Sequence, residues 1–331
     1  MLHTRFSAAL LASILVVGCS TGSSFDALSG IKPSRETTSS IARPLVPAAA
    51  VPTAEVGYPV VSNASPEAAV TSLAEPDRID SPALQQVAMV VPSRPAAPRD
   101  TVHRQRFRDA KPVSFGRVTP QHHAVHGVDV SRWQGKIDWS TLRSQGANFA
   151  FIKATDGGDH LDPTFHRNWK DAADAGVRRG AYHFFYWCRT GAEQAEWFIR
   201  NVPKTPGALP PVIDVEYNHQ SRCKTRHSPK VVREKMQAFM DRVERHYGQR
   251  PIIYTAPDFY ADNLRGHFKD YPFWLRSVAA HPSVRYPNRT DWMFWQYSGT
   301  GLSKGVTGHI DLNVFRGSEA DWNKWLARAA R

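Results

Sequence analysis

Large apolar side chains are scarce over the first third of this 331-residue chain. Residues 20–124 contain no tryptophan and four other aromatic residues, Phe25, Tyr58, Phe107 and Phe115. The same stretch carries 13 of the 24 prolines. So little apolar surface cannot offset the entropy lost in ordering a backbone, which predicts a Pro/Ala/Ser-rich disordered linker over 20–124. All ten tryptophans lie at or after Trp133, so a single folded domain is expected over 125–331. Cysteine is nearly absent, with three residues in all, which excludes a disulfide-dense scaffold. Acid is also in deficit: 42 Lys/Arg against 30 Asp/Glu give a net charge of +12. Such a surplus favours polyanionic partners. The domain has no dense basic run and no recognition module for nucleic acid, so nucleic acid is not expected among its partners. The tightest cluster, Arg104, Arg106, Arg108 and Lys111, falls in the linker and reads as a solvated hinge, with attraction to an anionic polymer as the alternative. There is no phosphate-cradling glycine motif and no Ser-His-Asp order. His122, His123 and His126 lack a partner set. No metal and no cofactor is therefore expected.

A membrane-spanning run is missing as well. Ala8 to Val17 is apolar but too short to cross a bilayer, and it reads as an export signal over 1–19. It ends in VVGC, residues 16–19, which resembles a bacterial lipobox in which Cys19 becomes the lipidated first residue. Ordinary cleavage nearby, with Cys19 incidental, is the alternative. Ser20 after the cysteine resembles the outer-membrane address of bacterial lipoproteins, which implies the periplasmic face of the outer membrane; secretion is the alternative. Lipidation would give the linker a use, since it lets a tethered domain reach away from the membrane. Cys188 and Cys223 remain. In an oxidising compartment they are a disulfide candidate, against two buried free thiols.

The domain alternates strand-like and helix-like segments. Strands are expected at 126–131, 149–155, 180–186, 210–217 and 251–256. Helices are capped by Asp138, by Asp162 with Pro163, by Thr190, and by Ser228 with Pro229. Val232, Met236, Phe239, Met240, Val243 and Tyr247 recur at helical spacing. Thereafter 273–278, 292–298 and 309–315 read as strands with no amphipathic helix between them, and 321–328 as a terminal helix. Five βα units followed by three strands predict an α/β fold, a closed (β/α)5β3 TIM-like barrel.

Function in such a barrel sits at the carboxyl ends of the strands. Residues 210–217, PPVIDVEY, place Asp214 and Glu216 two positions apart at the end of an apolar strand. Side chains at i and i+2 share a face, with Cβ atoms roughly 6.6 Å apart. One of two such carboxyls should keep its proton near neutrality. A protonated acid beside a carboxylate is the equipment for breaking a glycosidic bond. Asp129, Asp311, Tyr182, Tyr254, Trp274, Gln296 and Tyr297 also fall at or near strand ends. Acids with aromatic walls describe a saccharide cleft, whereas His183 reads as a core histidine.

Seven ordered motifs, HGVDVSRWQGKIDW, FAFIKATDGG, DPTFHRNWKDAADAGVRRGAYHFF, PPVIDVEY, PIIYTA, MFWQYSGTG and HIDLNVF, resemble glycoside hydrolase family 25, the Chalaropsis-type lysozymes. The resemblance covers roughly residues 125–328. It implies a (β/α)5β3 barrel and hydrolysis of the β-1,4 bond between N-acetylmuramic acid and N-acetylglucosamine in peptidoglycan. It implies Glu216 as general acid and Asp214 as its partner, with Asp129 and Asp311 completing the acidic set. Tyr182, Tyr254, Trp274 and Tyr297 would be cleft walls, with Gln296 a further substrate contact. Where the family often has Glu-Gly after Lys-Ala-Thr, this chain has Asp156 before Gly157 and Gly158, and no role is assigned there. The expected partners are peptidoglycan glycan strands, and the membrane if Cys19 is lipidated. The expected form is a monomer. A catalytically silent wall-binding barrel is the competing expectation.

Overall fold

Eight strands, each with alternate residues inward and outward, form the barrel wall. The computed structural model describes residues 101–218 and 223–329. In order the elements are β1 (Arg108–Asp109), β2 (His126–Val130), α1 (Trp139–Ser144), β3 (Phe149–Asp156), β4 (His160–Leu161), α2 (Phe165–Asp174), β5 (Arg178–Phe184) and α3 (Gly191–Asn201). There follow β6 (Val212–Val215), α4 (Pro229–Tyr247), β7 (Ile252–Thr255), α5 (Pro257–Phe259), β8 (Phe273–Arg276), α6 (Pro282–Arg285), β9 (Phe294–Leu302), β10 (Ile310–Phe315) and α7 (Glu319–Ala329). Pairing is parallel from β2 through β3, β5, β6, β7 and β8 to β9. Strand β10 pairs antiparallel with both β9 and β2, which closes the ring. This is the anticipated α/β barrel. The expected signal peptide, Cys19 and the expected linker as far as residue 100 lie outside the described residues.

Two apolar layers build the barrel. Its interior is filled by Phe149, Phe151, Val212, Ile252, Tyr254, Trp274, Phe294 and Phe315, all buried. Phe151 stacks on Trp274 with centroids 4.6 Å apart. Gly127 is required where Phe149 crosses, because a Cβ there would lie 2.4 Å from the Phe149 carbonyl oxygen. Helix α7 closes the amino end: Trp322 is buried there, 5.1 Å from Phe315 and 5.6 Å from Phe149. Each such side chain contributes roughly 1.5–3 kcal/mol relative to exposure. The outer layer packs α1 to α4 on the sheet through Leu142, Phe165, Phe198, Met236, Phe239 and Met240. The start of α2 differs from expectation. Thr164, not Asp162, is its N-cap residue. The Asp162 carboxylate instead accepts from the backbone N–H groups of Thr164 and Arg132.

Residues 101–124 depart from the linker expected to continue to 124. They form a strap on the outside of the barrel. Asn148 exchanges hydrogen bonds with His103 N–H and C=O at 2.7 and 2.9 Å. Arg106 N–H donates to Gln145 O at 2.8 Å, and β1 pairs with the end of β9. Phe115 meets Trp295 edge-on at 4.9 Å, and Phe107 packs on the same outer core. The physical reason lies in the last three strands. Helix α6 has four residues and no long helix separates β9 from β10, so their outer face, with Trp295, Tyr297, Leu312 and Val314, needs another cover. The strap supplies it. Phe115→Ala is expected to lower the unfolding free energy by about 2 kcal/mol, below the range for a fully buried phenylalanine because the ring is half-exposed. An unchanged urea midpoint would show that the segment adds nothing to the fold.

Candidate active site

The carboxyl ends of the barrel strands converge on a polar layer above the aromatic floor. Asp214 is inside β6, and Glu216 follows it by two positions, just past the strand's end. Both are buried, at 2 % and 4 % exposure. Asp129 on β2 stands in register with Asp311 on β10, so their Cβ atoms are close neighbours across the pair. Asp129 Oδ2 accepts from Asn313 Nδ2 at 2.7 Å and from Gln296 Nε2 at 2.9 Å. The Gln296 carbonyl oxygen in turn accepts from the Tyr254 hydroxyl at 2.9 Å. Trp274 Nε1 donates to Asn313 Oδ1 at 2.8 Å. These bonds hold Asp129 from β9 and β10, which are tied in turn to β7 and β8.

Desolvation governs the titration of this layer. Burial pushes Glu216 up to about 7, with the Arg276 guanidinium opposing the rise. Burial, then the neighbouring Glu216 charge, holds Asp214 well above the usual carboxylate range, with Lys153 pulling it down. Asp129 is raised to about 6 by burial, against the hydrogen bonds from Asn313 and Gln296. Asp214 Oδ1 and the Tyr182 hydroxyl are buried with no hydrogen-bond partner among the described residues. A cluster of buried acids that retains a proton near neutrality can both donate to a leaving oxygen and stabilise developing positive charge.

The model of the family described as glycosyl hydrolases family 25 matches residues 128–306, which takes in Asp129, Asp214 and Glu216 and stops short of Asp311. The chain belongs to glycosyl hydrolase family 25. A family 25 glycosyl hydrolase from Bacillus anthracis has a similar solved structure, with a TM-score of 0.57 and 38% identity over 61% of this chain and 94% of that one. Lysozyme M1 of Streptomyces globisporus is 36% identical over 207 residues, 59% of this chain and 69% of its own length. YegX of Escherichia coli K12, described as uncharacterized, is 39% identical over 226 residues, 66% of this chain and 79% of its own.

In this family 25 hydrolase the strand-end residues separate into three groups. Asp129, Asp214, Glu216, Asp311 and Gln296 share the polar layer. Tyr182, Tyr254 and Trp274, expected as cleft walls, are each 2 % exposed and line the barrel interior next to it. Tyr297 is on the other face of β9: it packs with the outer core and its hydroxyl lies 3.4 Å from His126 Nδ1. Consecutive strand residues point to opposite sides, so Gln296 and Tyr297 cannot both line one cleft. His183 also faces outward, bonded to Thr155 and Gln194 and stacked on Phe239.

Three polar residues of the layer were not singled out in the sequence. Lys153 continues the inward series Phe149, Phe151; Arg276 follows Trp274 by two; Asn313 follows Asp311 by two. Period-two counting from a known inward residue locates each. Lys153 Nζ pairs with Asp156 Oδ2 at 2.9 Å, both nearly buried. That gives the departing Asp156 a place: it holds the cation that moderates Asp214.

The loops above the layer are stitched together beside Glu216. Cys188 and Cys223 form a disulfide with Cα atoms 5.4 Å apart. Trp187 Nε1 donates to the Glu216 carbonyl at 2.8 Å, and Trp187 N–H donates to Asn218 Oδ1. The Trp187 ring stacks on Phe259 at 4.9 Å. The backbone that carries Glu216 is thereby held from the neighbouring loop. Trp133, 39 % exposed, is an aromatic surface open to solvent just past the end of β2, with Arg132 over its ring at 4.4 Å.

Proposed function

We propose that this glycoside hydrolase cleaves the β-1,4 bond between N-acetylmuramic acid and N-acetylglucosamine in peptidoglycan, with Glu216 as general acid and Asp214 as its stabilising partner. The observation that carries the assignment is the buried Asp214–Glu216 pair on one face of the barrel, with Asp214 Oδ1 unpartnered. In the reaction, the carbonyl oxygen of the substrate's own 2-acetamido group attacks the anomeric carbon while Glu216 gives its proton to the departing oxygen. The acetamido N–H donates to Asp214, favouring its ionised form and leaving the pair's shared proton on Glu216. The resulting oxazolinium is opened by water, which returns a proton to Glu216. Substrate-assisted exceptions to the two-carboxylate scheme are known. Asp129 and Asp311 supply further negative charge, and Trp133 is an open face on which a sugar ring can stack.

The pH dependence tests this division of labour. Glu216 must hold its proton, so kcat/KM should fall as pH rises through about 7. The Arg276 guanidinium favours the ionised form of Glu216. Arg276→Met should therefore move that alkaline limb to higher pH. A limb that stays put in the variant would remove Glu216 as its source.

The lysozyme acts in the cell envelope in this reading. Residues 1–19 direct export, Cys19 carries lipid, and the segment beyond it spaces the barrel from the outer membrane. Labelled palmitate should enter the wild-type chain and not Cys19→Ser; equal labelling of both would remove the anchor.

A further inference from the structure

The basic cluster taken for a hinge is a fixed, outward-facing row. Exposure alternates along the strap: Arg104, Arg106 and Arg108 are exposed, while Gln105, Phe107 and Asp109 between them are half-buried. That is the period of an extended chain, so successive guanidinium stems are roughly 6.6 Å apart. The backbone is pinned before the row by His103 to Asn148, within it by Arg106 N–H to Gln145 O, and after it by Ala110 N–H to Thr300 O. The acid that follows the row, Asp109, is half-buried and accepts from Thr300 Oγ1 at 2.7 Å. Among the described residues none of the three arginines forms an ion pair.

The row leads toward the cleft. Arg108 stands opposite Leu302 at the end of β9, which is the carboxyl end and therefore the cleft side of that strand. Two residues beyond Leu302 is the exposed Lys304. Its neighbour Gly305 accepts from Asp138 N–H at 2.8 Å, which brings in the exposed Lys136, three residues from Trp133. Positive charge thus continues from the strap to the cleft rim.

We propose that Arg104, Arg106 and Arg108 form a secondary binding track for the anionic glycopeptide polymer whose glycan enters the cleft. This rests on the reading of the chain as a peptidoglycan hydrolase. Stem-peptide carboxylates recur along such a polymer, and a row of guanidinium groups on a pinned backbone is complementary to them. Binding through the track raises the residence of the enzyme on an insoluble wall without touching the chemistry.

The test is co-sedimentation of the full chain carrying Glu216→Gln with purified sacculi, with and without R104Q/R106Q/R108Q. Vesicles of phosphatidylglycerol are run in parallel. At low salt the glutamine triple variant should bind sacculi about tenfold more weakly, and the difference should vanish toward ~1 M salt, where charges are screened beyond a few ångströms. The lysine triple variant, R104K/R106K/R108K, should bind within about twofold of the parent. In a Glu216 background, turnover of a soluble peptidoglycan tetrasaccharide should be unchanged by the three glutamines. Equal sacculus binding by parent and glutamine variant overturns the proposal. So does a loss confined to the vesicles, which would assign the row to a lipid surface. Absence of tetrasaccharide turnover in both proteins would instead overturn the hydrolase reading, while the sedimentation result would still report on the track.

Discussion

Glu216→Gln lowers the release of soluble fragments from purified peptidoglycan by at least about 100-fold, the low end for loss of a general acid. The substitution keeps the size of the side chain and removes the transferable proton. Binding should survive, because the aromatic floor and the Asp129 network are untouched. The effect therefore falls on kcat rather than KM. Zymography on wall-embedded gels gives a clear band for the parent and none for the variant. Equal bands would mean that Glu216 is not the acid; no band for either protein would favour a silent wall-binding barrel. The same substitution carries a thermal signature. The pKa of Glu216 is raised from 4.5 to about 7 in the folded state, so the folded protein holds this proton more tightly than the unfolded chain does. That contribution to stability is present below about 4.5 and lost as pH climbs through about 7. Glu216→Gln should accordingly raise Tm at pH ~8 by several degrees more than at pH ~5. A Tm difference independent of pH would contradict the raised pKa.

Asp214→Asn carries the second large effect, a fall in kcat of about 10²–10³-fold, the scale of losing one preorganised electrostatic contact to the transition state. An amide cannot stabilise the positive oxazolinium as a carboxylate does. Its effect separates two chemistries. If the acetamido group is the nucleophile, a substrate with glucose in place of the N-acetylated sugar at the cleaved position is inert even to the wild type. If Asp214 itself attacks, that substrate is turned over and a covalent glycosyl-enzyme accumulates. Near-normal turnover of peptidoglycan by Asp214→Asn would exclude both roles for the residue.

The central acids were legible in the sequence because their signal is local. Two carboxyls at i and i+2 after an apolar strand have one geometry available, and burial does the rest. The eight strands were legible for a similar reason, since alternation fixes which residues turn inward. What escaped depended on partners distant in sequence. Lys153 and Arg276 are cations in strands that look ordinary, and a buried cation becomes intelligible only beside the acids it faces across the barrel. Tyr297 and Gln296 are both expected in the cleft, although adjacent strand residues must diverge. The strap was hidden by composition: Phe107 and Phe115 are too few to form a core of their own. They become structural because three strands without covering helices leave an apolar outer face for them to occupy. Asp162 shows the same limit on a smaller scale, where a good capping sequence was diverted to tie the loop after β2.

The most direct test of the account is mass spectrometry of the fragments released from purified peptidoglycan after borohydride reduction. Cleavage by the proposed chemistry leaves N-acetylmuramic acid at every new reducing end, and Glu216→Gln abolishes those ends. Reduced N-acetylglucosamine at the new termini, or intact glycan strands after digestion by the wild-type protein, would contradict it.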